Sequence, residues 1–280
     1  MNGKSSARPF RTRTARIGAL AAAAVLAATL PTGAAQAAQP RSDGKPTIVL
    51  EHGAFADTSS WNGVIERLRR DGYRVVAAAN PLRGPEGDAA YLRSIVDHVQ
   101  GPVVLAGHSY GGSVISKAAD RNPKVKALVY IAAFIPEVGE SATELTGKFP
   151  GSTLASTIDP VPYSLPDGET GTDLYIKQDK YRQQFAADVP ASVAAVAAAG
   201  QRPIAAAALE EKATGAAWKT IPSWTLIALQ DLNIPPEAQR FMAKRAHSHT
   251  VEVKASHAVP VSRPDAVTRL IEQAAKATAK

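Results

Sequence analysis

Val103-Val104-Leu105-Ala106-Gly107-His108-Ser109-Tyr110-Gly111-Gly112 is the stretch on which the reading of this chain turns. A short uncharged apolar run leads into a serine set among glycines, and a helix-compatible segment follows. Such a run reads as a buried strand. A serine held in a sharp strand-to-helix turn needs glycines on both sides, because bulkier side chains would collide with the backbone or the crossing helix. The turn exposes the hydroxyl at the C-terminal edge of a sheet, above a helix N-terminus that favours developing negative charge. On the string alone, a plain glycine-rich turn is the competing reading.

Outward from this stretch, strand-like and helix-like segments alternate. Thr47 to Leu50, Arg74 to Ala78, Val103 to Ala106, Val125 to Ile131, Trp224 to Leu229 and Val251 to Lys254 read as six buried parallel strands. Between and after them, Trp61, Val64, Ile65 and Leu68, then Leu92, Ile95, Val96 and Val99, then Val267, Leu270, Ile271 and Ala274 each place one apolar stripe on a helix. Ser262-Arg263-Pro264-Asp265 reads as a capping box opening the last helix, with proline in its first turn. The class is α/β, with a mostly parallel, doubly wound sheet of about six strands. The alternation fails between Pro136 and Pro222, a stretch rich in Pro, Gly and Ala, with helical pieces expected around Asp179 to Ala187 and Pro190 to Ala199. It reads as a helical cap, inserted at about 136–222 into a single domain spanning 46–280.

A lone serine hydroxyl is a poor nucleophile, so chemistry at Ser109 requires a histidine base and an acid that orients it. His257 follows the last strand and emerges at the same sheet edge as Ser109. Asp231 follows the preceding strand, and the order Ser109, Asp231, His257 suits this architecture. Glu137 and Glu140, after the fourth strand, are the alternative acids. Two donors for a tetrahedral oxyanion are expected from the N–H of Tyr110 and from the loop Glu51-His52-Gly53-Ala54-Phe55, where Gly53 lets the backbone come close and points the Ala54 N–H into the site. His52 and His108 flank the site in motifs where a neighbouring backbone group matters more. His98, His247 and His249 read as surface residues, and no metal ligand set is assigned.

The chain has 280 residues, 45% of them hydrophobic, with 32 basic against 25 acidic side chains and no Cys. The formal charge of +7 does not signal nucleic acid, because Lys4, Arg8, Arg11, Arg13 and Arg16 crowd the first sixteen residues. An uncharged run of 14 residues, Ile17 to Leu30, comes next, followed by Ala35-Gln36-Ala37. That is the order of a secretory signal over 1–37, and the run is short of the roughly 20 residues of a membrane span. Cleavage after Ala37 would leave 243 residues, and 27 basic against 25 acidic groups, or +2. A flexible arm, 38–45, then leads into the domain. Neither a nucleic-acid partner nor a membrane partner after signal cleavage is expected. The absence of Cys excludes disulfides, thiol nucleophiles and Cys-based zinc sites.

Val49-Leu50-Glu51-His52-Gly53-Ala54, then Gly107 to Gly112, then Ile234-Pro235-Pro236-Glu237-Ala238-Gln239, then Ser256-His257 together resemble the α/β-hydrolase superfamily, in its small-esterase branch of plant methyl esterases and hydroxynitrile lyases. The resemblance implies Ser109, His257 and Asp231 as a catalytic triad, Ala54 and Tyr110 as oxyanion donors, no cofactor, and a small-molecule ester as substrate. The lyases place a Thr where Gly53 stands and a Lys where Ala258 stands. This chain has neither polar group, which favours ester hydrolysis over carbon–carbon cleavage. Phe55, beside the oxyanion loop, departs from both branches and suggests, with Gly53, an apolar substrate pocket. A lactonase, a lyase at the same residues, and a binding protein that scarcely turns over are the alternatives. Serine in the elbow, where an alkyl-enzyme would need Asp, speaks against dehalogenase and epoxide hydrolase chemistry.

Overall fold

The structure, a computed structural model, describes residues 44–279. The expected secretory signal and all but the end of the arm lie outside the described residues.

The chain opens with β1 (Thr47–Glu51), α1 (Asn62–Arg70), β2 (Val75–Ala78), α2 (Pro85–His98), β3 (Val103–His108), α3 (Gly111–Ala118) and β4 (Val125–Ile131). An insertion follows, holding α4 (Ala142–Gly147), β5 (Ile158–Ser164), β6 (Thr170–Ile176), α5 (Gln178–Phe185), α6 (Ala191–Gly200), β7 (Ile204–Ala205) and α7 (Ala206–Glu210). The fold closes with β8 (Ser223–Ala228), α8 (Pro236–Arg245), β9 (His249–Val253), α9 (Val259–Ser262) and α10 (Pro264–Thr278). All six strands of the main sheet run parallel, in the order β2-β1-β3-β4-β8-β9. α1 and α10 bury Trp61, Val64, Leu68, Val267, Leu270 and Ile271 on one face, while α2, α3 and α8 bury Leu92, Val96, Val114, Ile115 and Met242 on the other. Among the described residues no helix is long and apolar enough to cross a membrane.

Two departures from the sequence reading have clear causes. The insertion carries an antiparallel sheet, β5-β6-β7, as well as helices. Pro160 and Pro162 sit in β5, the edge strand, where a missing N–H costs no ladder bond. The expected capping box is corrected: α10 starts at Pro264 with Arg263 as its N-cap and no side-chain cap. Ser262 belongs instead to the short helix α9, its N–H bonded to the Ala258 carbonyl, and its buried hydroxyl has no partner among the described residues.

The strand order reverses between β1 and β3, and at such a point the C-terminal ends of neighbouring strands part to leave a crevice. Glu51 pairs with Gly107 across these strands, so two residues further on Gly53 and Ser109 meet. β8 and β9 are likewise neighbours, and their outgoing loops are joined by Leu229 N–H to Val253 O at 2.9 Å and Gln230 N–H to Ala255 O at 3.0 Å. That contact carries Asp231 and His257 to the same place.

Close helix packing fixes the elbow. A Cβ at Gly112 would overlap the Phe134 carbonyl oxygen and lie 2.8 Å from the Ala133 Cβ. We therefore expect Gly112→Ala to destabilise the protein by about 3 kcal/mol, the upper range for an overpacked core. Thermal unfolding should move down by roughly 6 to 12 °C.

Candidate active site

Ser109 has φ +55°, in the left-handed region that a non-glycine residue adopts only when its surroundings compel it. Its N–H donates to Ile131 O of β4 at 3.2 Å, and its carbonyl accepts from Gly112 N–H at 3.0 Å and Phe134 N–H at 3.2 Å. These bonds hold the turn from both sides. Ser109 is 7% exposed and opens on a cavity of about 690 Å³, shared with Ala54, Phe55, Tyr110, Phe134 and the α4 and α7 segments of the insertion.

The loop after β1 presses against the serine. A Cβ at position 53 would stand 2.6 Å from Ser109 Cβ and 2.8 Å from His108 O, so a side chain there would displace the elbow. His52 sets the direction of the following peptide. Its Nε2 accepts the Asn80 N–H at 3.0 Å, which leaves Nδ1 protonated to donate to Gly53 O at 2.9 Å. Asn80 Nδ2 also donates to His52 O at 2.8 Å. In a trans peptide the N–H points opposite to the carbonyl, so tying Gly53 O to His52 turns the Ala54 N–H the other way. Among the described residues, neither the Ala54 N–H nor the Tyr110 N–H has an acceptor. The Tyr110 hydroxyl donates to Asp88 Oδ2 at 2.7 Å, which anchors its side chain on α2.

His257 is fully buried, and its Nδ1–H donates to Asp231 Oδ2 at 2.6 Å. Asp231 is held in turn by three further donors: Asn233 N–H at 2.7 Å and Ile234 N–H at 3.0 Å on Oδ1, and Gln239 Nε2 at 2.9 Å on Oδ2. The second imidazole nitrogen, Nε2, is buried and has no hydrogen-bond partner among the described residues, Ser109 Oγ included. The structure thus joins Asp231 to His257 directly, and Gly53 to Ser109 by packing, while the serine and histidine are not hydrogen-bonded to each other. The alternative acids are engaged elsewhere: Glu137 pairs with Lys219 at 2.6 Å and Glu140 with Arg245 at 2.7 Å. His249 stacks on Trp224, with ring centroids 5.0 Å apart.

Four residues around this centre were given no role by the sequence. Gln239, on α8, bridges Asp231, the Ala228 N–H and the Ile234 carbonyl. A glutamine on the buried face of the helix that follows Asp231 was the available signal. His108 donates from Nε2 to His257 O at 2.9 Å, with ring centroids 4.8 Å apart, so the residue before the serine holds the backbone of the histidine. Phe185, from the insertion, lays its ring against the His257 imidazole at 4.9 Å, and nothing local in the sequence announces that contact. Glu51 is fully buried with neither carboxyl oxygen partnered among the described residues; burial first, and then Asp88, push its pKa well up.

Burial lowers the pKa of His52, and complete burial followed by the nearby His257 lowers that of His108 further. Both rings are neutral in the fold. Their contribution is present above the ordinary histidine value of about 6.5 and is lost as pH falls toward the lowered ones.

Residues 48–270 match the alpha/beta hydrolase family. The chain belongs to that family. An alpha/beta hydrolase of Aspergillus novofumigatus, nvfD, is 30% identical over 255 residues, covering 82% of this chain and 97% of that one. Methylesterase 8 of Arabidopsis thaliana is 29% identical over 130 residues, 41% of this chain and 46% of the plant protein. Among solved structures, a pyrethroid hydrolase matches with a TM-score of 0.66 at 25% identity, covering 84% of this chain and 99% of that chain. This α/β-hydrolase therefore stands among enzymes named as hydrolases and esterases.

Proposed function

We propose that this α/β-hydrolase is a secreted serine carboxylic ester hydrolase acting on small-molecule esters through Ser109, His257 and Asp231. The observation that carries the reading is the set of unengaged groups at one place. Among the described residues, the N–H groups of Ala54 and Tyr110, beside Ser109, have no acceptor, and His257, fixed on Asp231, keeps Nε2 without a partner. Buried polar groups are normally paired, and exceptions of this kind mark places where a reacting molecule completes the set.

In the proposed cycle the Ser109 oxygen bonds to the ester carbonyl carbon while its proton passes to His257 Nε2. Catalytic hydrogen bonds are often long in a free enzyme and tighten in the substrate complex, which accords with the absent serine–histidine bond. The carbonyl oxygen, now an anion, is received by the two N–H groups, each such donor being worth roughly a hundred- to a thousandfold in rate. The bond to the alcohol oxygen breaks, and the alcohol leaves with the proton from His257. Water, deprotonated by the same nitrogen, then releases the acid and restores Ser109. Every step is served by the chain's own groups. The relatives named as hydrolases and esterases support the ester class, and the absence of a polar group at Gly53 and Ala258 favours hydrolysis over lyase chemistry. Secretion rests on the basic, apolar and small-residue order of residues 1–37.

A fluorophosphonate tests the assignment, because it reacts preferentially with a hydroxyl activated as a nucleophile. Mass spectrometry of the treated protein is expected to place a single adduct on Ser109 and none in Ser109→Ala. Labelling at another residue, or no labelling, would remove Ser109 from the role of nucleophile.

A further inference from the structure

A second cavity, of about 600 Å³, adjoins the site and shares no lining residue with the first. Its walls come from α5, α6, the turn after the oxyanion loop, and Ala258, the residue that follows His257. The residues bordering it are aromatic and aliphatic, with Asp57, Ser59, Ser60 and Asn62 on one side.

An aromatic wall stands where the two cavities approach. Phe55 borders the first cavity, and Tyr181 and Phe185 border the second. Phe185 meets Phe55 edge-on at 6.4 Å and stacks with Tyr181 at 5.1 Å, and the Tyr181 hydroxyl donates to Phe55 O at 2.8 Å. The same Phe185 ring rests on His257. The backbone behind it is fastened on both sides of that histidine: Ala258 N–H donates to Phe185 O at 2.9 Å, and Ser256 Oγ donates to Asp188 Oδ1 at 2.5 Å. The Phe185 side chain is held in the wall by ring contacts alone, against Phe55, His108, Tyr181 and His257, while the clamp holds the backbone.

Acyl transfer gives the two cavities different occupants. With the carbonyl oxygen on the Ala54 and Tyr110 N–H groups, the acyl chain extends into the cavity those residues line. The alcohol oxygen has to take its proton from His257, so the alcohol extends on the histidine side, where Phe185, Ala258 and the second cavity lie. We infer that the second cavity is the subsite for a bulky apolar alcohol, aryl or arylalkyl, with Phe185 as the wall between it and the reacting bond. This inference rests on the ester-hydrolase reading of the site.

The test compares two esters of one acid, methyl butanoate and β-naphthyl butanoate. It uses Ala197→Trp, at an exposed position on α6 that borders only the second cavity. The expected result is a fall in kcat/KM of at least about tenfold for the naphthyl ester, with the methyl ester held within about twofold. An undiminished rate on the naphthyl ester, or an equal loss on both, overturns the inference. Calorimetric titration of Ser109→Ala with free β-naphthol supplies a readout that needs no turnover. Binding should weaken by at least about tenfold when Ala197→Trp is added. Naphthol binding that responds to Ala197→Trp in a protein that cleaves neither ester would uphold the subsite while ending the hydrolase reading. Cleavage of both esters with naphthol binding absent or indifferent to residue 197 would end the subsite and leave the hydrolase reading standing.

Discussion

Ser109→Ala is expected to lower kcat for a short ester by at least about ten-thousandfold while leaving thermal unfolding nearly unchanged. The two halves of this expectation have separate origins. Ser109 Oγ makes no hydrogen bond among the described residues, so its removal breaks none there, and the Cβ that packs against Gly53 is retained. Alanine also keeps the backbone carbonyl and N–H that pin the elbow to β4, Gly112 and Phe134. What disappears is the atom proposed to form the acyl-enzyme. The residual rate would come from the two oxyanion donors and from substrate positioning, which in a serine hydrolase still exceed the uncatalysed reaction. Initial rates and a melting curve on the same preparation check both halves. A variant that keeps more than about a tenth of the parent rate would mean that the ester is cleaved by another group.

The residues that the sequence placed at the centre share one property: each lies just beyond the C-terminal end of a parallel strand. Ser109 follows β3, Asp231 follows β8 and His257 follows β9, so counting strands sufficed to bring them to one rim. The strands β3 and β8 were legible because they are buried along their whole length, whereas the edge strand β9, with His249, Thr250 and Glu252 exposed, carries a weaker signal. The insertion was harder to read for physical reasons. α6 is built from alanine and valine on every side, with Val193 and Val196 left 47% and 74% exposed, so periodicity carries no signal of which face is buried. The strands β5 and β6 pair over seven residues each, yet prolines at 160 and 162 argue against a strand until its edge position is known. The contacts of His108 and Phe185 depend on tertiary distance: their partners are 149 and 72 residues away in sequence. No local pattern records them.

The acid is the member of the site most exposed to a subtle change, and Asp231→Asn shows why. The substitution keeps shape and volume but replaces a carboxylate that accepts four hydrogen bonds with an amide that has one acceptor oxygen. If that oxygen stays on the Asn233 and Ile234 N–H groups, the amide nitrogen faces Gln239 Nε2, itself a donor, and His257 Nδ1. The imidazole then has to accept at Nδ1 and carry its proton on Nε2, the nitrogen needed as base. If the amide is reversed, its NH₂ opposes two backbone N–H groups inside the protein. Either orientation leaves buried donors facing donors, at a cost of about 1 to 3 kcal/mol for each unsatisfied group. We expect kcat to fall by about ten-thousandfold, with KM changed far less, because the loss lies in proton transfer and not in substrate contact. Steady-state kinetics with a soluble ester separate the two constants, and a melting curve reports the buried mismatch. A fall in stability with kcat preserved within about tenfold would reduce Asp231 to a structural ligand of the loop and leave the tautomer of His257 to its other neighbours. Among those neighbours none bonds Nδ1: His108 donates to the backbone carbonyl of His257, and Phe185 meets the imidazole in a T-shaped ring contact. The carboxylate at 231 is thus the one group on the described residues that bonds Nδ1 and leaves Nε2 of His257 open for the proposed proton transfer.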